Sequence, residues 1–434
     1  MATVENTTGS LNSLAKEVFP EKSEIWSQID QKAPALDLVE RTNKVPFLGK
    51  LSDGRYLKIP VRTNSGANPA VGIAELGGLP TAQKQTTSHW QFNTASHWQA
   101  LELSGMVFDT LDGGDASVQD VFTFEMKHQI MDARKELNRL LHSDGSGALA
   151  ACVSNSGATV TVDSTADMKV GTQCIIKGET TGTADSGQPS NASAVVETIP
   201  SATTVTFETE AGVQITGWSS LGAADSVYRY DSQGLAINGF GIICSNANPT
   251  NWGGGSPKFG NVDRSTNTWA QAQNLSAASS IIDIQTHVQP FIDTIRRAAG
   301  QHLSTDGEGA TWICFTGYQN FRALMNAMRT DQRTAPQQTM LQSKYPSIDI
   351  EGAFFVVDDD APPASIRFVH GPDLRRYVRV PWRWDDKTGS IWHRRTATDG
   401  RDADVYKAYL KTRQQMAVVR CSTMGQITNI NATS

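Results

Sequence analysis

The sequence has no hydrophobic run approaching the roughly 18 apolar residues that a membrane span requires. Its opening, Met1-Ala-Thr-Val-Glu-Asn6, lacks both the basic and the apolar segments of a secretory signal. Neither membrane insertion nor secretion by the usual signal is supported. Cysteine is scarce: Cys152, Cys174, Cys244, Cys314 and Cys421 are scattered, odd in number and never in CxxC spacing, which fits a reduced cytoplasm better than a disulfide framework. Also absent are the GxSxG nucleophile elbow, the HExxH zinc helix, the GxxxxGK phosphate loop and the GxGxxG fingerprint, so no motif announces an enzyme or a cofactor. Neither a repeat of solenoid period nor a long low-complexity tract is visible.

What is present suffices for a folded protein of two or three domains, with 39% hydrophobic residues over 434 positions. The net charge of −6 is unevenly spread. From Ala361 onward there are thirteen Lys/Arg against six Asp/Glu, leaving twenty-five against thirty-eight before it, so the two parts carry +7 and −13. Such asymmetry suits a basic nucleic-acid face or electrostatic matching between identical subunits.

The longest helical pattern runs from Ser117 to His142. Val118, Phe122, Met126, Ile130, Ala133, Leu137 and Leu141 recur every three or four residues, with charged residues on the other faces. Asp112-Gly-Gly-Asp115 and Ser117 mark its start, and Gly145 a stop. Before it, Tyr56–Arg62 and Trp90–Leu103 read as two long strands around a polar tip, Ser65–Thr87, an arrangement with little core of its own. After it, period-two patterning at 158–162, 171–177, 194–199 and 204–207 predicts a small antiparallel barrel or sandwich. Further on, helices are expected over Ile281–Ala299 and Tyr318–Arg329. Strands are expected over Thr311–Phe315, Ile348–Val357, Ile366–Val369 and Val405–Val419.

Candidate chemistry is thin. Asp358-Asp-Asp360 offers clustered carboxylates for a divalent cation, but adjacent residues on a turn diverge, so a solvated turn is the plainer reading; Asp306-Gly-Glu308 and Asp402-Ala-Asp404 are read alike. The doubled His89-Trp90-Gln91 and His97-Trp98-Gln99 has an even spacing that puts both histidines on one strand face, too few ligands for a metal, and reads as strand surface and intersubunit packing. Arg375-Arg-Tyr-Val-Arg-Val-Pro-Trp-Arg-Trp384, with Trp392-His-Arg-Arg395, interleaves arginine and aromatics as single-stranded nucleic-acid grooves do. Interruption by Asp385 and Asp386 favours a subunit interface, with non-specific contact to nucleic acid as the alternative.

The succession of arm, β-hairpin, long helix, β-rich stretch and α+β region resembles the major capsid protein of tailed bacteriophages, with its Hong Kong 97-like fold. Finer likenesses are Asp263-Arg264-Ser265 with Trp269, the strand-to-helix step Phe315-Thr-Gly-Tyr-Gln-Asn-Phe321, and Ile350-Glu-Gly-Ala-Phe-Phe-Val-Val-Asp-Asp359 followed by Pro362-Pro363. The resemblance implies an α+β chain divided into an N-terminal arm (1–43), an extended β-loop (44–103), a spine helix with peripheral domain (104–147) and an inserted small all-β domain (148–230). A return of the peripheral domain (231–275), an axial domain (276–381) and closing peripheral and axial strands (382–434) complete it.

The function so implied is structural: a head protein assembling with itself, as hexamers and pentamers, into an icosahedral shell. The shell encloses double-stranded DNA without sequence-specific binding and without cofactor, metal or membrane. Assembly is expected in the host bacterial cytoplasm, and the final location is the virion. Portal and scaffolding proteins are implied partners, with a decoration protein as a further one. Relatives often carry a charged scaffolding segment ahead of the arm, and its absence here implies a separate or already removed scaffold. Candidate intersubunit contacts are Lys58, Trp90, Trp98, Arg264, Arg379, Trp382, Arg383 and Trp384. Lys58 and Lys84 lie in the expected extended loop, but no acid-assisted constellation supports a covalent cross-link for them. The competing reading, from the Thr/Ser/Gly/Asn-rich stretch and abundant tryptophan, is a tail-associated or extracellular carbohydrate-binding adhesin.

Overall fold

The computed structural model of the chain describes residues 33–41, 56–64, 84–105, 116–179, 181, 183–185, 193–209, 211–218, 221–230, 232–249, 258–299, 312–331, 339–340, 346–386, 389–396 and 402–431. Helix α1 (Pro34–Arg41) precedes strands β1 (Tyr56–Asn64), β2 (Thr86–Asn93) and β3 (Ala95–Ser104) and the long helix α2 (Ala116–His142). Strands β4 (Ala148–Ser156), β5 (Thr159–Val162), β6 (Gln173–Gly178), β7 (Ala194–Ser201), β8 (Thr204–Thr209) and β9 (Asp225–Arg229) follow. Then come α3 (Phe240–Ile243), β10 (Gln273–Ser276), α4 (Gln289–Ala299), β11 (Trp312–Thr316), α5 (Tyr318–Asp331), β12 (Thr339–Met340), β13 (Pro346–Ile350) and β14 (Ala353–Val357). The chain closes with β15 (Ile366–His370), β16 (Leu374–Trp384), β17 (Trp392–Thr396), β18 (Asp402–Val418) and β19 (Gly425–Thr428). Two compact units result, one from residues 1–37, 96–139 and 378–414, the other from 38–95, 140–377 and 415–434.

The first unit combines α2, up to Arg139, with a sheet in which the 17-residue β18 pairs with β3, β16 and β17. At 27 residues α2 is about 40 Å long. Ala133 and Leu137 are buried, and polar ties fix the same stretch. Asn138 Oδ1 accepts from the Leu36 amide at 3.0 Å, Arg134 pairs with Asp37 at 2.9 Å, and Gln129 donates to the Ala100 carbonyl at 3.0 Å. One turn earlier the apolar stripe is uncovered: Ile130 is 38% exposed. The expected cap at 112–115 lies outside the described residues, as do residues 65–83 of the expected tip, whose last two residues, Thr86 and Thr87, belong to β2.

The second unit takes the last turn of α2. Gly145, at φ 85°, lies beyond it, and Ser143 Oγ donates to the Leu140 carbonyl at 2.8 Å. Gly239 and Gly241 let α3 abut that helix end: a Cβ on Gly239 would stand 2.2 Å from the Ser143 carbonyl oxygen. Of the two arrangements that the period-two patterning allows, 148–229 adopts the closed barrel, ordered β4-β5-β8-β7-β6-β9. Its inside is filled by Val160, Val162, Cys174, Ile176, Val196, Val205, Phe207 and Val227, so it is a packed core and not a channel. A seven-stranded mixed sheet, β10-β19-β15-β11-β14-β13-β12, packs with α4 and α5 over a separate core that includes Phe291, Phe355 and Phe368.

Four local expectations change. The run Trp90–Leu103 is broken at Thr94; β2 pairs with β1, whereas β3 pairs with β18. The two His-Trp-Gln copies therefore lie on different strands, and the even spacing of their histidines places nothing on one face. The run Ile348–Val357 is a hairpin, not one strand. Glu351 (φ 54°) and Gly352 (φ 81°) make a two-residue turn with both φ positive, whose hand matches strand twist. The helix expected from Ile281 begins with a π-turn, Ile284–Val288, capped by Asp283, which accepts from the Thr286 amide at 3.0 Å. Finally, Asp358 is buried and not solvated, 3.1 Å from His142 Nε2 at the end of α2.

Candidate assembly surfaces

The sheet of the first unit presents cations and rings together. Lys407, Tyr409, Lys411 and Arg413 occupy alternate positions of β18, hence one face. Trp98 of β3 lies edge-on to Tyr409 at 6.4 Å, and the Lys411 ammonium stands 5.4 Å from its ring centre. His393 of β17 is 6.3 Å from Tyr409. Lys411 also pairs with Asp385, Lys407 with Glu102 at 3.1 Å, and Arg394 with Asp404 at 3.8 Å. Trp98 nevertheless keeps 47% of its surface in water. On β16, Arg379, Pro381 and Arg383 are exposed, alternating with half-buried Val380, Trp382 and Trp384. The Trp382 indole nitrogen is sealed from solvent without a hydrogen-bond acceptor among the described residues.

On β3, His97 is half-buried with its Nε2 sealed and without a hydrogen-bond partner among the described residues. Desolvation pushes its pKa down to about 4; Glu136 opposes the shift, and Arg139 reinforces it. Those two residues of α2 pair with each other at 2.8 Å.

In the second unit Trp90 and Arg264 have a different task from the one expected of them. Trp90 has no exposed surface; its ring meets Trp269 at 4.9 Å, Phe259 at 5.5 Å and Phe92 at 6.0 Å, and its nitrogen donates to the Val419 carbonyl at 3.3 Å. Arg264, also wholly buried, lies 4.2 Å over Phe259 and donates to the carbonyls of Ile242 (2.7 Å) and Ala247 (3.1 Å), with Cys421 Sγ 3.7 Å away. Both hold the hairpin base and the following loop to the subunit, which leaves them no surface to offer a neighbour. Adjacent Asp263 is held down at about 2 by hydrogen bonds from the Ser265 hydroxyl, the Asn248 amide and the Ser265 N–H. Lys58, by contrast, is exposed on β1 opposite Gln91.

Beside the hairpin base is an open groove of about 370 Å³, lined by Gln91, Asn93, Asn238, Asn261, Lys258 and Gln415 among others. Gln415 spans it, donating to the Asn93 carbonyl at 2.8 Å and accepting from the Asn238 amide at 2.7 Å. Amides dominate this lining, which suits backbone recognition more than proton transfer. No group of three or more potential metal-ligating side chains occurs among the described residues, and 306–308 lie outside them. All five cysteines are buried and unpaired, and burial pushes Cys152, Cys174 and Cys244 up to about 12. Sequence reasoning missed Ile130 as a surface residue because its spacing matches the buried stripe, and missed the His142–Asp358 pair because its partners are 216 positions apart.

No family model matches the chain, and no curated protein sequence does. Among solved structures it is similar to the capsid of cyanophage A-1(L), with 10% identity, 97% of this chain and 99% of that chain covered, and a TM-score of 0.56. The capsid of an empty GTA particle (10% identity, 95% of each chain, TM-score 0.48) also aligns. So does the SrpI encapsulin complex of Synechococcus elongatus (8% identity, 97% of this chain and 96% of that one, TM-score 0.45). An α+β chain with a long helix, a two-stranded hairpin and a mixed sheet, superposing end to end on a phage capsid subunit, has the Hong Kong 97-like capsid fold.

Proposed function

We propose that this chain is the major capsid protein of a tailed double-stranded DNA bacteriophage, a virion component that assembles with itself into a closed icosahedral shell around the genome. The observation that carries the reading is the likeness to the cyanophage capsid over 97% of this chain and 99% of that one, which leaves no large region over for another task. Support comes from the surface. Trp98 and Ile130 are uncovered in the isolated subunit, and exposed arginines alternate with tryptophans on β16, the residue types that dominate interface energetics. In this reading the work is structural: many weak contacts, each made by the same patches in every copy, sum through multivalency to a stable shell. Residues 1–43 act as the arm, 44–103 as the extended loop and 276–381 as the axial domain. The barrel is an insertion, and portal, scaffolding and decoration proteins are partners.

The test is production of the chain with and without its scaffold, followed by electron microscopy and nuclease digestion. Uniform closed shells that protect double-stranded DNA after packaging are expected. A persistent monomer or trimer that binds glycans would instead favour the adhesin reading.

A further inference from the structure

The barrel has no task in the subunit's own core, and its charge is one-sided. Residues 148–229 carry eight Asp/Glu and three Lys/Arg, and an interior packed with apolar side chains forces these charges to the outside. Strands β7 and β8 are neighbours with Val195 opposite Glu208 and Val196 opposite Phe207. Because Val196 and Phe207 face the core, Glu197 and Glu208 point outward from adjacent strands. Neither has an ion-pair partner among the described residues; Glu197 accepts only from Gln214, at 2.8 Å.

The opposite imbalance is found in the sheet of the first unit. Within that unit strands β3, β16, β17 and β18 hold seven Lys/Arg against three Asp/Glu, a net +4 in a chain of −6, so the remaining residues sum to −10. Of these acids Glu102 and Asp404 are already engaged with Lys407 and Arg394, and Asp385, just beyond β16, is engaged with Lys411. Arg379, Arg383 and Arg413 have no acidic partner among the described residues, and Trp98, against Tyr409 and Lys411, stands half in water.

Resting on the capsid reading, we infer that this basic, tryptophan-bearing sheet face docks on the acidic outer face of the barrel of a second copy of the chain. The barrel then acts as an electrostatic clamp between subunits. A second copy is favoured over nucleic acid because three acids interleave with the cations, which repels a phosphate backbone, and because the chain itself carries the compensating negative charge on a closed, edge-free module. The pairing is heterologous, sheet to barrel, so every copy both gives and receives a contact, as ring-forming capsomers require.

The experiment uses the full chain with two double charge reversals, Arg379→Glu with Arg383→Glu, and Glu197→Lys with Glu208→Lys, all at surface positions. Circular dichroism and gel filtration confirm that each subunit folds. Sedimentation and electron microscopy then measure shell yield against salt. Each double reversal alone should lower the yield about tenfold and abolish its salt dependence, and the two combined should restore it. Wild-type shells with unaffected variants overturn the inference and leave the capsid reading standing. So does a quadruple variant that is not rescued, or sheet reversals that spare assembly and reduce only retained DNA. Absence of wild-type shells overturns the capsid reading, and this inference with it.

Discussion

Trp90 touches three other rings and has no exposed surface, whereas Trp98, in the second copy of the same His-Trp-Gln tripeptide, keeps 47% of its surface in water. Trp90→Ala should therefore cost about 3–5 kcal/mol of subunit stability by urea denaturation. Trp98→Ala should change it by less than about 0.5 kcal/mol and instead depress shell yield. Equal losses of stability for both would contradict the assignment. His97 gives a pH signature at the same scale. Its folded pKa, about 4, lies below the ordinary 6.5, so on acidification the unfolded chain takes up this proton first. Stability contributed at this residue is intact above pH 6.5 and is lost as pH falls toward 4. Denaturation midpoints of wild type and His97→Gln should diverge across that window in the variant's favour; parallel curves would dismiss the desolvated histidine.

Helix α2 shows what an element can and cannot disclose from its own residues. Its seven apolar positions recur so regularly that a helix over 117–142 is found at Ala116–His142. Periodicity does not say how far along the stripe the subunit's own core extends, and Ile130 lies beyond it. Ile130→Lys should leave the monomer's circular dichroism and melting temperature near wild type while blocking shell assembly. Ile130→Pro removes a helix hydrogen bond and should cost about 3 kcal/mol or more. If Ile130→Lys forms normal shells, this face of the helix has no neighbour. The strands divide in the same way. Alternation located β1, four of the six strands of the barrel (β5 to β8) and β18, but not the break at Thr94, because both halves alternate and only the choice of distant partner separates them. The Glu351-Gly352 turn was hidden inside a run apolar on both sides, with only the glycine as a local signal. Arg264 was expected to meet a neighbouring subunit, and part of what encloses it, Cys421, comes 157 positions later. Local period was legible, and side-chain environment assembled across the chain was not.

At the level of the whole molecule, the barrel and the seven-stranded sheet have separate cores, and each encloses its own thiols: Cys152 and Cys174 in one, Cys314 in the other. Separate cores are separate cooperative units. Thiol labelling during a thermal ramp should expose Cys152 and Cys174 together, at a temperature distinct from that of Cys314; one simultaneous transition would show that the two cores melt as one. The barrel has a further property in its register. Its first and last strands are partners, with Ala148 opposite Tyr228, so the chain leaves the module beside the point where it came in. In genetic terms the barrel is a cassette: its two junctions lie side by side, and a single recombination event can add, exchange or remove everything between them without moving the flanking backbone.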